Sequence, residues 1–240
     1  MRDYLLDLVE HTYDLGCIDL VKIVGDTSKS EIVGLAEDLS VVIRGNFHNP
    51  VADFVGTFGM PNLGKLKTLL NLQEYREDAK LTITKRADGE PDGIAFENKI
   101  SDFKNNYRFM ASGIVNEKLK TAKIRPVTWH IEFEPTNAAI QRMKWQMSAN
   151  AEELNFQAKT ENGDLKFFFG DHSTHSGNFV FHPGVSGQLK RAWSWPAKQF
   201  VSILDLTGDK KVRISDDGAA EITVDSGLAM YQYLLPAQSK

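Results

Sequence analysis

The chain has 240 residues, 42% of them hydrophobic and 25% charged, with a formal net charge of −4 at neutral pH. That balance excludes a disordered chain and, taken as a whole, a general polyanion binder. A single cysteine, Cys17, excludes an internal disulfide and a thiolate metal cage, and no apolar run approaches the roughly 20 residues of a membrane helix, so a cytoplasmic protein without a membrane partner is expected.

In chain order, the opening "MRDYLLDLVEHTYDLG" is acidic and amphipathic, unlike a signal peptide. Leu5, Leu8 and Val9 form one stripe and predict a helix over Asp3–Tyr13. "DLVKIVGD" and "LSVVIRGNF" are β-rich and bounded by turn residues. Pro61–Tyr75 reads as a helix with proline at its first position and Leu63, Leu66, Leu69 and Leu70 on one face. "AKLTITKR" and "WHIEFEP" are strand-like. Thr136–Ala149 carries Ile140, Met143 and Met147 at helical spacing. "LNFQAKT", "LKFFFGD" and "GNFVFHP" are again β-rich. Pro196–Leu206 is a fourth helix, with Phe200, Ile203 and Leu204 facing inward, and "KVRIS" and "AEITVDS" follow as strands. All four helices are apolar on one side only, so each is expected to lie on a sheet.

"KKVRISDDGAAEITVDSG" (Lys210–Gly227) gathers four carboxylates. Val212 and Ile214 before Asp216-Asp217-Gly218, with Ile222 and Val224 after it, make this a hairpin tip, and its spacing does not fit a calcium loop. The hairpin belongs to a repeat. "FGMPNLGKLKTLLNL…AKLTITKRADG…NNYRFMA" parallels "WSWPAKQFVSILDL…KKVRISDDG…AMYQYLLPA": aromatic and proline, helix, strand, Asp-Gly turn, and a closing Tyr-x-aromatic strand. Such duplication predicts two similar units, 1–116 and 127–240, joined by a connector over 117–126.

On these segments the chain resembles the DNA polymerase sliding clamps of the PCNA and T-even-like bacteriophage type. The resemblance is most specific in "WSWPAKQFVSILDLTGDKKVRISDDGAAEITVDSGLAMYQYLLPAQSK" and in "WHIEFEPTNAAIQRMKWQMSANAEELNFQAK", looser in "FGMPNLGKLKTLLNL", and faint in residues 1–58. It implies an α+β, two-domain clamp fold with antiparallel sheets outside and four helices on an inner face. The implied function is a processivity factor: a homotrimeric ring, not an enzyme and without cofactor or metal, that encircles double-stranded DNA and tethers the polymerase after a clamp loader opens it. A somewhat short chain with a divergent N-terminus points to a phage and its host's cytoplasm.

Charge placement agrees with that implication. Pro61–Arg76 carries Lys65, Lys67 and Arg76 against Glu74; Thr136–Ala151 has Arg142 and Lys144 and no acid; Gln188–Phe200 has Lys190, Arg191 and Lys198 and no acid. Lys65, Lys67, Arg142, Lys144, Lys190, Arg191 and Lys198 are therefore the expected DNA contacts, made to phosphate and independent of sequence. The first helix departs from this pattern, because Asp3, Asp7 and Glu10 outnumber Arg2. By resemblance, an edge at Asn105–Gly113 with Tyr107 and Phe109 would pair with one at Gly177–Gly184, with Phe179 and Phe181, on the next subunit. Phe109, Phe179 and Phe181 fit equally well as ordinary core aromatics. Partner peptides would dock at the connector and tail, on Leu119, Ile124, Leu234, Leu235 and Pro236.

Other constellations are weaker. "GDHSTHSGNFVFH" places His172, His175 and His182 near Asp171, but reads as a loop without a second ligand cluster. No nucleophile elbow, phosphate loop or dinucleotide fingerprint occurs. The competing reading is a non-enzymatic β-rich structural or carbohydrate-binding module, such as a phage structural protein, with Trp129, Trp145, Trp193 and Trp195 as exposed platforms.

Overall fold

The computed structural model describes residues 1–120, 126–171 and 175–238. The chain divides into two compact units, Met1–Lys123 with Ser226–Tyr231, and Ile124–Asp225 with Gln232–Lys240. Ile124 and much of the expected connector lie outside the described residues.

In the first unit, α1 (Arg2–Thr12) buries the predicted stripe of Leu5, Leu8 and Val9. It is followed by β1 (Leu20–Gly25), β2 (Ser30–Leu35), β3 (Val42–Phe47) and β4 (Gly56–Pro61), antiparallel and ordered β4-β1-β2-β3. Burial alternates along β1 and β2, as one core-facing side requires. Next come α2 (Leu63–Asn71) and the meander β5 (Lys80–Lys85), β6 (Pro91–Glu97) and β7 (Lys104–Arg108). A two-residue strand, β8 (Met110–Ala111), pairs with β4, and α3 (Ser112–Lys118) closes the segment.

The second unit opens on β9 (Ile131–Phe133) and repeats the plan: α4 (Asn137–Ala149); β10 (Asn155–Glu161), β11 (Asp164–Phe169), β12 (Gly177–His182) and β13 (Trp193–Pro196); α5 (Ala197–Leu204); then β14 (Asp209–Ser215), β15 (Ala219–Asp225) and β16 (Ala229–Pro236). The sheet orders are β12-β11-β10-β13 and β16-β15-β14-β9. Each copy is thus one helix, four strands, one helix and three strands, and the four-stranded groups have the same order. The two helices of each copy also pack on one another, α1 beside α2 and α4 beside α5. Among the described residues no helix is long and apolar enough to cross a membrane.

Aromatic packing fills both cores. Tyr4, Phe47, Phe54, Phe58, Phe109 and Tyr107 form a continuous chain of ring contacts in the first unit. In the second, Phe156 touches Phe167, Phe169, Trp195 and Phe200, and Phe167 reaches Phe179 and Phe181. Such pairs add about 0.5–1.5 kcal/mol each beyond their buried area.

Four details differ from the sequence expectation. Pro61 closes β4, paired with Leu20, and does not begin α2; Asn62 takes the left-handed φ of 55° that turns the chain into the helix, a conformation asparagine tolerates. Pro196 likewise ends β13, opposite Asn155, before α5 begins. The strands β2, β4 and β6 are poorly marked in sequence because Ser30, Gly34, Gly56, Gly59, Pro61, Pro91 and Gly93 dilute their β-formers. The described residues hold five α-helices where four were expected. The fifth, α3, is too short to show a stripe and is fixed by Val115, whose side chain occupies the space left by Gly59; a Cβ there would stand 2.8 Å from Val115 Cγ2.

The α4 boundary is set locally. Thr136 caps it, accepting the Ala139 N–H at 3.1 Å. At α1 a buried polar group holds the helix to the end of the chain: Tyr231 Oη donates to Asp7 Oδ2 at 2.7 Å, and the His11 ring stacks on Tyr231 at 4.7 Å. Asp7 and His11 are almost fully buried, with His11 Nδ1 3.4 Å from Asp7 Oδ1, so the phenol is one of the few partners the buried carboxylate has. Tyr231→Phe is expected to lower stability by about 1–3 kcal/mol in urea unfolding, with the fold retained.

Candidate functional site

The cations expected to meet DNA fall into three groups. Lys65 on α2 and Lys198 on α5 are exposed, and among the described residues neither has an ionic partner. Lys67 and Lys144 are neutralised locally, Lys67 by Asp14 at 2.7 Å and Lys144 by Asp205. Arg142 projects from α4 over Phe179, 5.4 Å from the ring centre, and donates to the Val180 carbonyl at 3.3 Å, so it lies against β12. The acidic surplus of α1 is smaller at the surface than its sequence suggests: Asp3 and Glu10 are exposed but Asp7 is buried, while Arg2 donates to the Leu70 carbonyl.

Lys190 and Arg191, from the basic segment Gln188–Phe200, are in the loop before β13. Their backbone N–H groups both donate to Asp216 Oδ1, at 2.9 and 2.8 Å. Asp216 also donates its own N–H to His130 Nδ1 and accepts the Trp193 indole N–H on its carbonyl at 2.7 Å. Beside it Gly218 takes φ 83°, and its carbonyl accepts the N–H of Ala237, while Gln238 donates to Ser194. The carboxylate-rich turn is therefore a hairpin tip that fastens a basic loop and the C-terminal segment to β14 and β15. It was legible as a turn, but the partners of Asp216 are remote in sequence and left no signal.

The expected interface aromatics are core residues of their own units. Tyr107, Phe109, Phe179 and Phe181 are each buried, and Tyr107 Oη donates to the Pro61 carbonyl. Burial, reinforced by the Asp19 carboxylate, pushes the Tyr107 phenol above its ordinary range and keeps it protonated. The strands that carry Tyr107, Phe179 and Phe181 nonetheless end their sheets: β7, just before Phe109, is an edge of β5-β6-β7, and β12 an edge of β12-β11-β10-β13. Any contact through these edges is made by backbone and outward side chains.

An open groove of about 1090 Å³ runs along the first unit. Cys17, Ile18, Leu35, Ala36, Met110 and Leu119 give it an apolar lining, and Asp14, Asp19, Glu37 and Asp38 an acidic border with Lys118. Leu39 projects at its rim, 60% exposed and with φ 60°, a strained conformation for leucine. Of the expected docking residues, Leu119 lines this groove. Leu234, Leu235 and Pro236 belong to the second unit, where Leu235 is fully buried and its carbonyl accepts the Trp195 indole N–H.

His172 lies outside the described residues. His182 packs against the Phe133 ring at 4.8 Å, His175 is exposed, and no three His, Cys, Asp or Glu among the described residues come together as a metal-binding group. The four tryptophans do not form a row of platforms. Trp195 is fully buried, Trp193 is held by Asp216 and Trp129 is covered by Arg213, which leaves Trp145 exposed.

The fold is that of the sliding clamps, with mostly antiparallel sheets and the helices described above. Solved PCNA structures match it over nearly the whole chain. PCNA from Thermococcus kodakaraensis superposes with a TM-score of 0.68 at 11% identity, covering 99% of this chain and 97% of that one. A structure of the C-terminal region of FEN-1 bound to A. fulgidus PCNA gives 0.70 at 8% identity, covering 98% and 96%. No family model matches the sequence, and no curated protein does.

The role of Asp216 can be checked directly. In Asp216→Ala the amides of Lys190 and Arg191 lose a charged acceptor and should exchange with solvent about ten times faster or more, while the amides of β10 and β11 stay protected.

Proposed function

We propose that this chain is a DNA sliding clamp: a head-to-tail homotrimer that encircles duplex DNA and tethers a replicative polymerase to it, loaded by a clamp loader and acting without catalysis of its own. The observation that carries this reading is the pairing of edges within the repeat. In the first unit β3 is flanked by Ala229–Tyr231 of β16, with Tyr231 against Gly45 and the His48 N–H donating to Leu228. The counterparts of β3 and β16 in the duplicated plan are β12 and β7, and both are edges. The same strand pairing made between chains would satisfy both and, if the rotation closes, yield a ring. Three chains of two clamp domains, 1–116 and 127–240 with the connector over 117–126, give six domains.

The full-length likeness to PCNA supports a ring around DNA, and the exposed Lys65 and Lys198 supply the weak, sequence-independent phosphate contacts that sliding needs. Lys67 on α2 and Arg142 and Lys144 on α4 add partly neutralised charge. Lys190 and Arg191 would meet DNA from a loop. Retention follows from closure, so no base-reading motif is required. In the groove of the first unit, Leu39 and Leu119 would hold apolar anchors of polymerase or loader peptides, by analogy with the FEN-1 segment on A. fulgidus PCNA. A phage origin and a place in the host cytoplasm complete the proposal.

Light scattering during size exclusion should give about three times the 26.9 kDa chain mass; a monomer at every concentration would remove the ring. Charge reversal of Lys65, Arg142 and Lys198 together should abolish processive synthesis and leave the trimer intact. Because Lys67 and Lys144 are already paired, reversing those two alone should cost processivity less; a greater loss than from the triple change would overturn the assignment of the free cations.

A further inference from the structure

Trp145 has no counterpart among the other tryptophans. It sits on α4 opposite the buried Ile140 and Met143, is 63% exposed, and among the described residues has no ring contact and no partner for its indole N–H. Of the neighbours on its face, Ala138, Gln141, Ser148 and Ala149 are small or neutral, and Arg142 is turned onto Phe179 and the Val180 carbonyl, so the ring is left uncovered. Leaving so large an apolar surface in water forgoes stabilisation that an ordinary helix-face residue would not.

The charge around it favours a polyanion. Neither α4 nor α5 contains an acid, and together they carry Arg142, Lys144 and Lys198; Asp205 answers only Lys144, and Glu152 and Glu153 follow in the turn beyond α4. A flat, uncovered indole on a cationic helix has the chemistry of a base-stacking platform. An intact duplex keeps its base faces stacked on one another, so such a ring has a partner only where bases are unpaired.

We infer that Trp145 stacks on unpaired bases of a nucleic-acid strand lying along α4, so that the protein prefers duplex DNA with a single-stranded extension to blunt duplex. The inference rests on the sliding-clamp reading of the helices and adds to it a contact that is not ionic.

Fluorescence anisotropy at fixed low salt, with a labelled blunt duplex and the same duplex bearing a short oligothymidine overhang, tests it. The overhang should strengthen binding roughly fivefold or more and quench tryptophan emission. Trp145→Ala should remove both the gain and the quenching while leaving blunt-duplex affinity and molar mass unchanged, and Trp145→Phe should keep most of the gain. Equal affinity for the two DNAs, or a gain that survives Trp145→Ala, overturns the inference and leaves the clamp reading standing. A fall in molar mass in Trp145→Ala overturns it in favour of contact between copies of the chain. Failure of the wild-type protein to bind either DNA removes the clamp reading and this inference together.

Discussion

A strand at the edge of a sheet exposes a row of backbone N–H and C=O groups that only water or another strand can satisfy. The duplicated plan of this chain turns that constraint into a way of assembling. One pair of third strands meets within the chain, where β3 runs beside the start of β16, and the equivalent pair, β12 and β7, is left as edges. The aromatic side chains on β7 and β12 are committed to their own cores, so the edges offer little large apolar surface to solvent, and a register shift against β11 falls at Phe181 of β12. Under the proposed ring, the assembly would depend on backbone pairing more than on hydrophobic burial.

Charge follows a second constraint. Under the proposed sliding role, phosphate would have to be held weakly, and too many free cations would oppose movement. The structure reduces the apparent excess on the helices by pairing Lys67 with Asp14 and Lys144 with Asp205 and by drawing Arg142 onto a carbonyl. What remains free is sparse. In α1 one of the three acids, Asp7, is likewise withdrawn into the core, where it accepts the Tyr231 phenol.

Identity of 8–11% with PCNA structures over nearly the whole chain shows how little of the fold resides in particular side chains. What persists is the path of the backbone, as expected where cores tolerate exchange of side chains while volume and patterning are kept. Individual residues matter where the backbone comes close, as where Gly59 admits Val115, or where one carboxylate gathers several donors, as at Asp216.

Four principal helices to within a few residues, the hairpin at Asp216–Gly218 and the internal duplication were legible along the chain, because they rest on local periodicity and turn chemistry, while the fold class came through the resemblance those segments carry. The sequence by itself also marked the basic helices, since charge along a helix needs no partner to be counted. Only the tertiary structure decided which of those charges are free, that Lys190 and Arg191 belong to a loop fastened by Asp216, that Pro61 and Pro196 end strands, and that a fifth helix closes over β4. Each of these depends on groups far apart in the chain, and a pattern read along the sequence carries no term for such distances.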